Sequence, residues 1–301
     1  MTLEPRLGAD QSITALAAAE ILRAGADANL SASCRIGSID LIRAPGRLIA
    51  TGDVHDNPVS LSRLIAEAGL DQDSPNDPSH LVLHELIHSP TLSPDGLDWS
   101  HRALIRVAQL KAAHPEHVHV LLANHELAQA TGSDIRKNGV RLVEAFDRGL
   151  KKAFGRQTEK VRDAIRAFVR SMPIALRCQC PSGDVLCAHS LPGPGMMGRF
   201  DPSILSRPMR PSDYDFGGGS AYAMVWGRGY DHEQLEDLTE RWGVNLFILG
   251  HEHAPNGYAL IEPNAIVLNS DHDRGVFLPV DLSDVPRLSE CPGMVVPLLP
   301  Q

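Results

Sequence analysis

Residues 47–55 read RLIATGDVH, an apolar run that ends on a carboxylate and an imidazole two residues apart. The same pattern recurs four more times: a short apolar run, typical of a buried strand, stops at side chains that bind divalent metals. The further endings are Leu83-His84-Glu85, Ala123-Asn124-His125-Glu126, Cys187-Ala188-His189 and Gly250-His251-Glu252-His253. Because active groups of open α/β sheets gather outside the carboxyl ends of the strands, these five endings predict one shared site.

The segments around these endings predict the fold class. Strand-like and helical patterns alternate in the first half, and strands dominate beyond Met172, which predicts an α/β sandwich with two central sheets. Two strands, at 39–43 and 47–55, flank a Pro-Gly turn and predict a hairpin. Helical spacing predicts helices at 12–28, 59–70, 99–113 and 231–242, and a helical block at 135–170 with possible breaks at Gly149 and Gly155. Polar loops are expected at 71–79 and at the GGGS of 217–220.

Composition narrows the class of partner. The 301 residues carry 28 basic and 37 acidic side chains, a net charge of −9, which argues against nucleic acid held by a general basic field. No apolar run approaches the roughly 18 residues of a membrane helix, so no membrane partner is expected. The N-terminus lacks the pattern of a secretory signal, and the five cysteines are an odd, scattered set. Reduced thiols and a cytoplasmic location are therefore expected.

The chemistry of the endings indicates transition metals. Residues two apart on a strand face the same side, so Asp53 with His55, and His251 with His253, can each chelate as a pair. Carboxylate oxygens with imidazole nitrogens suit Mn, Fe or Zn better than Ca or Mg. A carboxylate can also bridge two ions about 3.5–4 Å apart. Each motif alone is commonplace, but five in order are not.

The series resembles the calcineurin-like metallophosphoesterase superfamily, whose motifs run DxH, GDxxD, GNH(D/E), a single His and GHxH. The resemblance covers residues 48–282. MRPSD at 209–213, VWG at 225–227 and GHEHAPNGY at 250–258 are similar to the end of the serine/threonine phosphoprotein phosphatase branch. The resemblance implies a four-layer α/β/β/α sandwich with two central mixed β-sheets. We expect an N-terminal helical extension at 1–45, the catalytic domain at 46–290 and a C-terminal tail at 291–301.

The resemblance also implies roles. Two divalent metal ions are expected, manganese first, with iron or zinc as alternatives. The implied ligands are Asp53, His55 and His253 for the first ion, Asn124, His189 and His251 for the second, and Glu85 as the bridge. His125 would protonate the leaving group, and Arg210 would grip two phosphate oxygens with its planar guanidinium. The nucleophile would be a hydroxide that bridges the metal ions.

The second motif departs from the family pattern Gly-Asp-x-x-Asp-Arg-Gly, because residues 84–90 read HELIHSP. Glu85 keeps the carboxylate but adds a methylene, and His84 replaces a small residue, as an extra ligand or as a bulky neighbour. His88 stands where the family has the Asp that orients the catalytic histidine, and it supplies no negative charge. Ser89 removes a phosphate-gripping arginine. The candidates to replace that arginine are Arg136, Arg199, Arg207 and Arg228.

We therefore expect a binuclear metal-dependent phosphatase that hydrolyses a phosphomonoester on a protein or a small molecule, with phosphoserine/threonine protein as one substrate class. The alternative reaction is cleavage of a phosphodiester or a dinucleoside polyphosphate. The alternative class is a metal-binding pseudo-phosphatase that acts as a scaffold. A nuclease is disfavoured by the acidic balance. The loop at 193–219 is the expected region of substrate choice.

Overall fold

The computed structural model describes residues 13–71 and 79–299. The expected loop at 71–79 falls almost wholly outside these ranges, as do the chain ends. The helices described are α1 (Ala15–Ser31), α2 (Pro58–Glu67), α3 (His101–Ala113), α4 (Asn124–Thr131), α5 (Leu142–Phe154), α6 (Thr158–Ser171), α7 (Ser220–Trp226) and α8 (His232–Trp242). The strands are β1 (Arg35–Ile36), β2 (Ile39–Arg43), β3 (Arg47–Thr51), β4 (His80–Leu83), β5 (Val118–Val120), β6 (Arg136–Lys137), β7 (Val140–Arg141), β8 (Ala175–Gln179), β9 (Asp184–Ala188), β10 (Val244–Leu249), β11 (Tyr258–Ile261), β12 (Ala265–Leu268), β13 (Val276–Asp281) and β14 (Val296–Pro297).

Two mixed sheets form the centre of the molecule. The seven-stranded sheet has the order β1-β2-β8-β9-β10-β12-β11, and the five-stranded sheet has the order β14-β13-β3-β4-β5. Strands β3, β4 and β5 run parallel, as do β9, β10 and β12 in the other sheet. The carboxyl ends of these six strands supply the site described below.

The central strands of both sheets are buried on both faces. Along β3, Leu48 and Ala50 belong to one apolar cluster, while Ile49 between them belongs to another. Along β10, Ile248 and Phe247 divide in the same way. The first cluster fills the space between the sheets, and the second packs under the helices, with α3 on β5 and α8 on β10. The four-layer α/β/β/α prediction is confirmed.

The predicted hairpin at 39–55 is wrong. β2 pairs with β8 in the seven-stranded sheet, whereas β3 pairs with β13 and β4 in the five-stranded sheet. The turn at 44–46 thus carries the chain from one sheet to the other. The physical reason is the inner apolar cluster: Ile42 and Leu48 both bury into it from facing sheets. Alternating periodicity reports a half-buried strand but does not choose its neighbour.

Other elements refine the sequence expectations. The predicted helical block at 135–170 divides at Gly155 into α5 and α6, and Gly149 lies inside α5. A short β6–β7 hairpin precedes α5. Gly219 of the GGGS segment caps α7, a helix that the sequence pattern did not predict. α1 packs against α3 and α6, and β2 hydrogen-bonds within the seven-stranded sheet, so the described residues from α1 to β2 pack with the rest of the described chain. The domain limits stay a prediction. None of the helices described is both long and apolar enough to cross a membrane.

Candidate active site

The five predicted endings meet at one cleft of about 730 Å³. Predicted site residues that line it are Asp53, His55, Glu85, Asn124, His125, His251 and His253. His189 is fully buried and contacts these residues from below the surface. The sequence prediction of a shared site at the strand ends therefore agrees with where the structure places these side chains.

Close backbone contacts hold the two sheets together at this point. Asp53 forms single bridges to His84 and to Asn269, which join the ends of β4 and β12 across the sandwich. Gly52 permits the approach, because a Cβ there would lie 1.8 Å from the backbone oxygen of Leu268. Only glycine fits such a contact.

Several site residues have left-handed backbone conformations. His55, Glu85, His88 and His251 have φ values of 44°, 49°, 61° and 67°. Such conformations are costly for residues other than glycine and cluster at functional sites, where the surrounding structure enforces them. Of these four residues, His55, Glu85 and His251 line the cleft, and His88 is buried behind it.

Glu85 lies at the centre of the cluster. Its Oε1 is 2.8 Å from Nε2 of His55, and its Oε2 is 2.8 Å from Nε2 of His189. The same His189 nitrogen is 2.8 Å from Oδ1 of Asn124. His55 is oriented by its other nitrogen, which donates to the backbone oxygen of Ile87 at 3.1 Å. Each oxygen of Glu85 thus faces a different histidine.

His251 and Asp53 complete the floor of the cleft. The backbone N–H of His251 donates to Oδ1 of Asp53 at 2.9 Å. A ring nitrogen of His251 lies within 4.8 Å of ligand atoms of both Glu85 and His189. Its Nε2 is buried and has no hydrogen-bond partner among the residues that the structure describes. A buried ring nitrogen left without a protein partner is consistent with an ion or a water molecule bound at this position.

His125 lies on the first turn of α4, with Nε2 3.5 Å from Oε1 of Glu85. Its Nδ1 is 3.0 Å from Nδ1 of His88. The next residue, Glu126, supports the loop that carries Glu85, because its Oε1 accepts from the backbone N–H of Leu86 at 2.7 Å. Burial and the charge of Glu85 raise the pKa of Glu126 to about 7.

The electrostatics concentrate positive charge around Glu85. Burial opposes its ionisation, but the imidazoles of His125, His55 and His189 hold its pKa well below the usual range. Burial also opposes the charged form of His55, yet the charge and hydrogen bond of Glu85 raise its pKa to about 10. Burial and the Glu85 charge raise the pKa of Asp53 to about 7. A metal ion bound here would displace these protons, because it takes up the same carboxylate oxygens and imidazole nitrogens.

Residues 46–255 match the family model of the calcineurin-like phosphoesterases. The chain belongs to this family. No curated protein matches it in sequence. Similar solved structures include a protein serine/threonine phosphatase from Saccharomyces cerevisiae with similarity to human phosphatase PP5, with a TM-score of 0.63, 14% identity, and coverage of 89% of this chain and 83% of that one. A cold-active protein-tyrosine phosphatase of the psychrophile Shewanella sp. gives a TM-score of 0.58 and 17% identity over 90% of this chain and 85% of that one. At these identities the likeness is one of fold.

The residues of this calcineurin-like phosphoesterase fit a metal pair. Asp53, His84 and His189 form a buried group in which the two imidazoles hydrogen-bond to each other, and two further groups share Glu85. The latter groups are His55 with His125 and His189 with His251. Carboxylate and imidazole ligands of this kind suit Mn, Fe or Zn.

Two predicted residues lie apart from these groups. His253 lines the cleft but is exposed, and its ring faces that of His272 at 6.3 Å. Arg210 is exposed at the start of a 3-10 turn and does not line the cleft, because its backbone is held by Asp213 instead. The phosphate grip predicted for Arg210 is thus not supported by its position.

Other cations occupy the cleft wall. Arg228 lies with Nη2 3.5 Å from Nδ1 of His251, and Arg136 and Lys137 line the opening. Of the other arginines considered, Arg207 is bound by Asp201 and Asp213, and Arg199 lines a separate small pocket.

The strand-end pattern did not single out Asp271 as a cleft residue, and Trp226 lines the cleft as well. Trp226 packs edge-on against His251 with ring centroids 6.0 Å apart. Asp271 follows β12 in the run IVLNSD, which is another apolar strand that ends on polar side chains. That signal is the same as for the five other endings and would have found it.

Proposed function

We propose that this chain is a binuclear metal-dependent phosphatase that hydrolyses a phosphomonoester by direct attack of activated water. Phosphoserine or phosphothreonine on a protein is one candidate substrate class. The family and the fold of its phosphatase neighbours support a hydrolase of phosphoric esters. The cleft supports the proposal because it is large enough for a phosphorylated group and is bordered by cations.

The observation that carries the proposal is the position of Glu85. Its two oxygens face His55 and His189, which belong to different ligand groups, each at 2.8 Å. A carboxylate in this position can bridge two ions. The additional methylene relative to the family Asp is therefore compatible with a bridge.

Two ions bound there would activate water and neutralise charge on the transferred phosphoryl group. Asp53 and His55, with His253 as a further ligand, are proposed for the first ion, and Asn124, His189 and His251 for the second. Manganese is the first choice, with iron or zinc as alternatives.

All five cysteines are free thiols, which supports the proposed cytoplasmic location.

The remaining roles belong to protein groups. His125 presents Nε2 toward Glu85 and is proposed to deliver a proton to the leaving oxygen. Arg228 is proposed to hold phosphate oxygens in place of Arg210, because its guanidinium lies beside His251 within the cleft.

The test is hydrolysis of p-nitrophenyl phosphate by metal-stripped protein reconstituted with Mn²⁺. We expect Mn-dependent turnover that falls by at least about 100-fold in Asp53→Asn, because a ligand of the first ion loses its charge. Asp163→Asn, an exposed helix position, is the matched control and should retain turnover. A folded protein that binds two ions without hydrolysing p-nitrophenyl phosphate, phosphopeptides or dinucleoside polyphosphates would instead support the scaffold alternative.

One observation favours a dinucleoside polyphosphate as the second candidate substrate. Arg136 and Lys137 line the same cleft as Arg228 and would offer further cations to a second phosphate. Diadenosine tetraphosphate and a phosphoserine peptide at equal concentrations distinguish the two candidates. If diadenosine tetraphosphate is cleaved faster, and the double variant Arg136→Ala with Lys137→Ala loses this preference, the dinucleoside polyphosphate is favoured as the substrate.

A further inference from the structure

Two histidines of the altered second motif have no counterpart in the family pattern. His84 and His88 are four residues apart, and each is only 1% exposed. Each contacts a histidine of the site by the same pair of atoms. Nδ1 of His84 lies 3.0 Å from Nδ1 of His189, and Nδ1 of His88 lies 3.0 Å from Nδ1 of His125.

The opposite nitrogen of each ring fixes its tautomer. Nε2 of His84 is 2.9 Å from the backbone oxygen of Thr51, which can only accept, so that nitrogen carries the hydrogen. Nε2 of His88 is 3.0 Å from Oε1 of Gln129. The amide orientation follows from Asp147, whose carboxylate accepts from Nε2 of Gln129 at 3.0 Å. His88 therefore donates through Nε2 as well.

A neutral imidazole with hydrogen on Nε2 has its lone pair on Nδ1. His84 and His88 thus present acceptors, and their partners must donate through Nδ1–H. A second acceptor also indicates that Nδ1 of His189 carries the hydrogen, because Oδ1 of Asp53 lies 3.5 Å from this nitrogen. The Nε2 nitrogens of His189 and His125 then face Glu85.

The backbone is built around these rings. A Cβ on Gly250 would lie 2.3 Å from Cε1 of His84, so the glycine makes room for the ring. The backbone N–H of His88 donates to Oγ of Ser100 at 3.0 Å, which holds its left-handed turn. Both rings are thus fixed at the backbone and at Nε2.

We propose that His84 and His88 are positioning residues that act as neutral hydrogen-bond acceptors. His84 fixes His189 as an Nε2 metal ligand, and His88 holds the Nδ1–H of His125, so that the imidazolium form of His125 gives up its proton from Nε2 and keeps the one on Nδ1. The inference rests on the proposed function for the roles of His189 and His125. On this proposal, the two histidines that depart from the family motif have the same role, each orienting one histidine of the site. Outer hydrogen bonds of this kind set the tautomer and orientation of ligating histidines.

The first test needs no turnover. ¹⁵N NMR of the full-length chain, metal-free and loaded with diamagnetic Zn²⁺, reports which ring nitrogens carry hydrogen. We expect protonated Nδ1 on His189 and His125, and unprotonated Nδ1 on His84 and His88. An unprotonated Nδ1 on His189 or His125 would overturn the proposal, whether or not the protein is a phosphatase.

The second test uses two variants with different expected losses. His84→Leu should weaken Mn²⁺ binding, measured by calorimetry, by about 10–100-fold, while His88→Leu should leave it unchanged. His88→Leu should lower kcat at least about 10-fold more on phenyl phosphate than on p-nitrophenyl phosphate, because only the poorer leaving group depends on the proton. Equal losses on both substrates would contradict the role of His88.

A third variant separates positioning from packing. His88→Asp keeps an acceptor near the position of Nδ1, so it should restore the leaving-group pattern of the unaltered protein, as His88→Leu should not. Thermal melting of each variant checks that it is folded. If His88→Asp behaves like His88→Leu in folded protein, the acceptor is not what His88 contributes.

Discussion

Two buried histidine clusters of this molecule differ in how far their hydrogen bonds are satisfied. The inter-sheet cluster comprises Arg35, Asp40, His80 and His119, where β5 faces β2 across the sandwich, and none of these residues lines the cleft. Its groups pair in series: Arg35 with Asp40 at 2.8 Å, Asp40 with His119 at 2.8 Å, and His119 with His80 at 3.1 Å.

The cleft cluster pairs differently. Nε2 of His189 faces two oxygen acceptors, one from Glu85 and one from Asn124. Each oxygen of the Glu85 carboxylate lies 2.8 Å from an imidazole nitrogen. Nε2 of His251 has no hydrogen-bond partner among the described residues. Ligand atoms also lie close together around Asp40, with Cys34 and His119. The difference teaches that buried ligand types alone do not define a metal site. Unsatisfied, converging lone pairs do.

The largest expected effect comes from Glu85. Glu85→Gln should reduce Mn-dependent turnover at least about 100-fold and the metal content from two ions per chain to one or none, because the bridge loses its charge. Turnover assays with metal analysis of dialysed protein measure both. Glu240→Gln, exposed on α8, is the control. If Glu85→Gln keeps two ions and full activity, the cleft cluster does not hold its ions through Glu85, and its contrast with the inter-sheet cluster is contradicted.

Asp40→Asn should instead affect stability. Removing the charge that pairs with Arg35 and His119 leaves buried partners uncompensated, which costs about 3–5 kcal/mol. Urea unfolding measures the free energy, and metal analysis should still find two ions. Loss of a bound ion in this variant would mean that the inter-sheet cluster is a metal site too.

Arg228 and Arg210 provide a smaller test. Arg228→Ala should raise KM for a phosphomonoester and weaken inhibition by inorganic phosphate by about 10-fold, because a charged hydrogen bond contributes about 1.5–3 kcal/mol. Arg210→Ala should leave both unchanged, since its side chain is exposed and away from the cleft. The reverse ranking would support the motif-based role of Arg210.

The smallest effect is a pH dependence in the inter-sheet cluster. Burial, with the charges of His119 and His117, lowers the pKa of His80 from 6.5 to about 3. The unfolded chain binds this proton near pH 6.5 and the folded chain does not, so stability falls as the pH drops from 6.5 toward 3.

The slope from this residue is at most about 1.4 kcal/mol per pH unit. Glu116 and Lys111 border the cluster and Asp40 belongs to it, so the comparison is with His80→Gln, which should flatten the profile between pH 6.5 and 4.5 in urea unfolding. His232→Gln, on the surface of α8, should not. An unchanged slope in His80→Gln would place the titration elsewhere.

The sequence predicts the layers and the strand-end ligands because both depend on local signals, apolar runs and the residues that end them. The partner of β2 and the position of Arg210 depend on long-range packing that periodicity does not report. The roles of His84 and His88 were also out of reach. Their contacts join residues 105 and 37 positions apart in the chain, and the motif alone indicated an extra ligand or a missing charge.

The most direct test of the central claim is an anomalous difference map from crystals of the full-length protein soaked in Mn²⁺. We expect two peaks about 3.5–4 Å apart on either side of the Glu85 carboxylate. One should lie toward Asp53 and His55, and the other toward Asn124, His189 and His251. A single peak, or a peak between Cys34, Asp40 and His119 with none at Glu85, would contradict it.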